Sequence, residues 1–98
     1  MGLIDSHCHL DDARFNEDRQ AVIESALAAG VELMLTIGTG DGPPDYECAV
    51  RLADRYDCVY ATVGVHPHAA KQFDDQSALR LSDLLKHPKV LALGEIGL

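Results

Sequence analysis

The sequence predicts an α/β fold in which parallel strands alternate with helices in right-handed βαβ units. Three observations carry this reading. Short apolar runs recur along the chain, at Leu3–Ile4, Val31–Ile37, Cys58–Val65 and Val90–Leu93. Between them lie segments whose apolar residues repeat at helical spacing. Each run leads into a polar cluster: His7 with His9, Thr39 to Asp41, His66 with His68, and Glu95. In barrels and open sheets alike, active sites are built at the C-terminal edge of the strands.

The elements follow in order. Leu3-Ile4-Asp5-Ser6-His7-Cys8-His9-Leu10 opens as a strand running into polar residues. Asn16 is placed to cap a helix whose apolar stripe is Val22, Ile23, Ala26 and Leu27, with Gly30 as its stop. Val31–Ile37 is apolar enough to be a strand buried on both faces, as parallel sheets require, and Gly38-Thr39-Gly40-Asp41-Gly42 ends it in a loop. Pro43 and Pro44 suit the first turn of a second helix, in which Ala49, Leu52, Ala53 and Tyr56 recur at helical spacing. Cys58–Val65 is the third strand. The third helix puts Leu81, Leu84 and Leu85 on its inner stripe and stops near His87-Pro88, where His87 suits the helix C-terminus. Val90 to Glu95 supplies the fourth strand.

Composition bounds the function. At 98 residues and 47% hydrophobic, the chain is long enough for one small core and too apolar for disorder. A formal charge of −8 disfavours nonspecific attraction to polyanions, so a phosphate-bearing substrate needs local help from a metal. Cys8, Cys48 and Cys58 are odd in number and unpaired in spacing, which fits a reducing compartment. Asp5 arrives too early for a signal peptide, and no apolar run approaches the roughly 20 residues of a membrane span. A soluble, cytoplasmic protein is expected, with no membrane partner. Met1-Gly2 followed by Ser6 matches a myristoylation pattern, but Gly2 leads directly into a strand expected to be buried.

The chemistry starts from His7 and His9. On a strand, residues two apart project from the same face, so both imidazoles can grip one divalent ion if carboxylates or other histidines complete its shell. Glu95, flanked by Gly94 and Gly97, should reach the same mouth. Pro67 fixes the backbone after His66 and biases that residue toward an extended conformation. His66 and His68 could meet a substrate oxygen or serve as capping histidines.

Together Asp5-Ser6-His7-Cys8-His9-Leu10-Asp11, Gly64-Val65-His66-Pro67-His68 and Gly94-Glu95-Ile96-Gly97-Leu98 resemble the signatures of the TatD-type metal-dependent deoxyribonucleases, within the amidohydrolase-like TIM barrels. The resemblance spans the whole chain in the family's order. It implies a hydrolase of DNA phosphodiester bonds with one or two divalent ions, Zn, Mg or Mn, at the mouth of a (β/α)8 barrel. By matching position, His7, His9 and Glu95 would be metal ligands, with Glu95 also catalytic. His66 would act in catalysis and, with His68, in substrate binding.

A complete barrel of this kind needs eight strands and about 250 residues. The expectation for residues 1–98 is therefore a single N-terminal half-barrel segment, truncated after the fourth strand. It would require the missing C-terminal half or a complementing chain and show little turnover alone. Other amidohydrolase-like or polymerase-and-histidinol-phosphatase-type enzymes also open with an HxH strand, and would cleave amides, esters or phosphomonoesters. A catalytically inert fragment acting only in assembly is the third possibility.

Overall fold

The computed structural model describes residues 2–38 and 45–96. Along them run β1 (Leu3–Cys8), α1 (Arg19–Ala28), β2 (Val31–Gly38), α2 (Cys48–Arg55), β3 (Val59–Val63), α3 (Asp75–Leu84) and β4 (Val90–Leu93). Short 3-10 turns lie at Ala13–Phe15 and Pro67–Gln72. The strands form one sheet in the order β1-β2-β3-β4, and every neighbouring pair is parallel. Sequential parallel neighbours joined by helices are β/α repeats, so the α/β fold class read from the sequence holds.

Period-2 alternation assigns the two faces of the sheet. Met34 of β2, Val59, Ala61 and Val63 of β3 and Val90 of β4 pack with Ile23 of α1, Ala49, Val50, Leu52 and Ala53 of α2, and Leu81 and Leu84 of α3. That single cluster is the core. The intervening residues Leu33, Tyr60, Thr62, Leu91 and Leu93 belong to the other face, where Leu33, Leu91 and Leu93 are exposed.

Helix ends explain the boundaries. Gly30 takes φ 104°, a left-handed conformation that a glycine adopts without penalty, and so stops α1 just past its cap, as expected. Asp74 and Ser77 form a reciprocal capping box at the start of α3, and the Ser77 amide holds the Asp74 carboxyl below the usual carboxylate range. The Ser77 hydroxyl also lies 2.6 Å from that of Tyr46, tying α3 to the segment before α2.

Several expectations need correction. Asn16 ends the first 3-10 turn instead of capping α1; the α1 cap position is Asp18, and Asn16 Oδ1 accepts from Arg19 Nη2 at 2.9 Å. Leu27 and Leu85 lie outside the core, 43% and 40% exposed, because one helix turn presents only part of an apolar stripe to the sheet. β2 is buried mainly in its second half, from Met34 onward, since only Met34–Gly38 also pairs with the central strand β3, whereas its first half has β1 alone as a neighbour. Gly2 accordingly leads into an exposed strand and not a buried one. β3 and β4 are shorter than read from sequence. The Gly38–Gly42 loop beyond Gly38, with Pro43, Pro44 and Gly97, lies outside the described residues.

A polar knot fastens the loop after β1. The buried Thr36 hydroxyl donates to Asp11 Oδ1 at 2.5 Å, and the Cys48 thiol donates to Asp11 Oδ2 at 3.2 Å. Arg19 donates to the carbonyls of Leu10 and Asp12 at 2.5 and 2.9 Å. Burial, then the Asp11 charge and hydrogen bond, push the Cys48 thiol up to about 12; burial and Asp5 push Cys8 up to about 11. Unfolded thiols ionise near pH ~8.5. These thiols therefore cost no stability below that pH, and stability falls as pH rises from about 8.5 toward the folded values. Thermal unfolding followed from pH 7.5 to 10.5 should show a decline that is shallower in Cys48→Ser, which keeps a donor for Asp11 but cannot ionise there. Equal slopes would contradict this.

Candidate metal centre

The two strands that carry the candidate ligands are the two edges of the sheet. In a flat sheet, three interstrand spacings separate β1 from β4 by about 14 Å. Nevertheless His7 Nε2 and Glu95 Oε1 are 3.4 Å apart. Glu95 lies two residues past the end of β4, beyond the strand ladder, so the meeting is made over the C-terminal mouth of the strands and not within the sheet.

One donor atom from each of His7, His9 and Glu95 lies within 4.8 Å of the others. His7 is near the end of β1 and His9 one residue beyond it, their rings meeting edge to face at 5.2 Å between centroids. The shared face expected of residues two apart is therefore present. Four ligands placed tetrahedrally at about 2.1 Å from an ion are separated by about 3.4 Å. The His7–Glu95 distance already matches that edge, and the widest separation in the cluster needs closure of little more than an ångström. Two imidazoles and a carboxylate are also a donor set that divalent transition ions accept. The residues fit a metal.

Glu95 is half-buried and faces histidines on both sides, with Oε1 toward His7 and Oε2 3.4 Å from His66 Nε2. His66 follows β3 and precedes the Pro67–Gln72 turn, which it caps: its Nδ1 accepts the His68 amide at 3.1 Å. A neutral ring so held carries its proton on Nε2. His66 therefore turns an N–H toward the cluster, a donor for an anion and not a free lone pair for a metal.

His68 is not brought into the cluster. Its exposed ring lies tilted against that of His66, with centroids 4.6 Å apart, and its contribution to the site is the backbone amide. His87 lies beyond α3, bonding Asp54 through Nε2 at 2.8 Å and accepting the Lys89 amide through Nδ1, so it joins the ends of α2 and α3. The Thr39–Asp41 cluster lies outside the described residues. Sequence reasoning passed over Asp11, Thr36 and Thr62. The signal available was a hydroxyl inside an otherwise apolar strand, which needs a partner when buried.

Fold and site together define an α/β protein of β/α repeats with a metal-competent cluster at the C-terminal mouth of its strands. The family model described as TatD related DNase matches residues 4–98, and the chain belongs to that family. It is 42% identical over 96 residues to the 3'-5' ssDNA/RNA exonuclease TatD of Cronobacter turicensis, covering 98% of this chain and 36% of that protein. To the uncharacterized metal-dependent hydrolase YabD of Bacillus subtilis it is 34% identical, covering 98% and 37%. The crystal structure of YJJV, a TatD homolog from Escherichia coli K12, superposes with a TM-score of 0.85 at 35% identity, over 98% of this chain and 37% of that one. The chain thus spans little more than a third of the length of these relatives.

Proposed function

We propose that this chain supplies the metal-binding part of a divalent-metal-dependent nuclease that cleaves phosphodiester bonds of DNA, as the name of the Cronobacter relative suggests for a similar protein. The observation that carries the reading is the meeting of His7, His9 and Glu95 from opposite edges of the sheet. In this reading residues 1–98 are one segment, the first four strands and three helices of a barrel completed by further units or by a complementing chain.

His7 and His9 would hold one ion with Glu95, and Glu95 would also reach toward a second. A bound divalent ion acidifies water and offsets charge on phosphate oxygens. The protein's own part is orientation. The Glu95 carboxylate, held between His7 and His66, would take part in the reaction by keeping the ions in place. The His66 Nε2–H would donate to a phosphate oxygen, steadying charge as it builds. His68 would keep the His66 ring in that orientation through its amide, and its exposed ring would meet the substrate at the rim. Metal charge would also offset the acidic protein that a polyanion must approach. No helix among the described residues is long and apolar enough to cross a membrane. The odd number and unpaired spacing of Cys8, Cys48 and Cys58 support a reducing, cytoplasmic setting.

The test is release of nucleotides from single-stranded DNA by residues 1–98 together with the units or chain that complete the barrel, with added zinc, manganese or magnesium and with chelator. Metal-dependent release that His66→Ala lowers by about 100-fold, the lower end of the loss of an oxyanion donor, is expected. Cleavage of acylated amines or phosphomonoesters in preference to DNA would overturn the assignment and favour another amidohydrolase-like class.

A further inference from the structure

We propose that Thr62 and Gly64 are positioning residues that set the place of Glu95 at the metal cluster, an inference that rests on the metal reading above. β4 ends at Leu93, so the two residues that carry the carboxylate into the mouth lie past the strand ladder. They are fastened instead to β3. The Gly94 amide donates to the Val63 carbonyl at 2.8 Å, and the Thr62 hydroxyl donates to the Gly94 carbonyl at 3.0 Å. Both ends of the Gly94 unit are thus tied to one strand.

Thr62 is only 4% exposed, and its hydroxyl is the one side-chain group that reaches this carbonyl among the described residues. Valine in its place would keep the shape and leave the carbonyl without that partner. Gly64, two residues on and on the same face, is buried against the same segment. A methyl group there would stand 2.6 Å from the Gly94 oxygen, 2.7 Å from its carbonyl carbon and 3.0 Å from the Glu95 oxygen. Those are backbone atoms and cannot swing aside, so the Glu95 backbone would have to move. The glycine is required by this approach and not by an unusual dihedral, since its φ is not positive.

Losing a group that orients a ligand typically weakens metal binding about 10- to 100-fold. Titration of the full chain with Mn2+ alone, followed by calorimetry, should show Thr62→Val weakened by about tenfold and Gly64→Ala by about 100-fold. Thr62→Ser, which restores the hydroxyl, should return to within about threefold of the parent. Val59→Ala, on the core face of the same strand, is the stability control. It should lower the unfolding temperature without moving the affinity, which separates positioning from a general loss of structure. Glu95→Gln in the same titration separates the two readings. If it binds like the parent, the metal reading fails and this inference with it. If it loses binding while Thr62→Val and Gly64→Ala retain it, or if serine does not rescue, the positioning role is overturned.

Discussion

Glu95→Gln should weaken divalent-metal binding by about 100-fold or more, exceeding the typical cost of losing an outer partner. The substitution keeps size and shape and removes the charge, so the loss reports the carboxylate itself. Glu95 faces His7 with one oxygen and His66 with the other, which makes it the centre of the cluster and not a strand-end residue in solvent. His7→Ala and His9→Ala should act similarly, and the three losses should not add, since each variant dismantles one shared site. Calorimetric titration with Mn2+ measures all three. Near-parental affinity in Glu95→Gln would mean that the ion, if it binds, is held elsewhere.

Ile23→Ala should produce the largest loss of stability. Ile23 is 1% exposed and is the only fully buried residue of α1, so it is the main anchor of that helix on the sheet, with Val22 and Ala26 half-buried beside it. Truncating a buried isoleucine costs about 2–5 kcal/mol through lost transfer energy and the cavity left behind. Set against a total of about 5–15 kcal/mol for a domain, that removes a large share of stability. Leu27→Ala on the same helix should cost far less, because Leu27 is 43% exposed. Denaturant midpoints of the two variants give the comparison. Equal destabilisation would contradict the packing described for α1.

Much of the fold was legible because it rests on local pattern. The run Val31–Ile37 read as a strand from its apolar content, and Gly30 marked the end of α1 by its backbone chemistry. The two histidines of the first strand were legible for the same reason, since period 2 puts them together without any tertiary knowledge. Distance in sequence is what hid the rest. Asp11 finds its partners 25 and 37 residues away in Thr36 and Cys48, and Thr62 finds Gly94 32 residues on. A buried threonine in an apolar strand reads like valine until its acceptor is seen. Asn16 and Asp18 are both plausible caps by residue type, and only the turn at Ala13–Phe15 assigned Asn16 to itself. Leu27 and Leu85 fit their helical stripes in sequence, but Leu27 lies at the exposed margin of its stripe and Leu85 is the cap residue past the end of α3.

Everything proposed for the site depends on the meeting of His7, His9 and Glu95 at the mouth of the sheet. Its most direct test is an anomalous-difference map from crystals of the full chain soaked in Mn2+. A peak is expected within about 2.3 Å of a ring nitrogen from each of His7 and His9 and of a Glu95 carboxylate oxygen. A metal peak bound away from these three side chains, or none at saturating Mn2+, would contradict it.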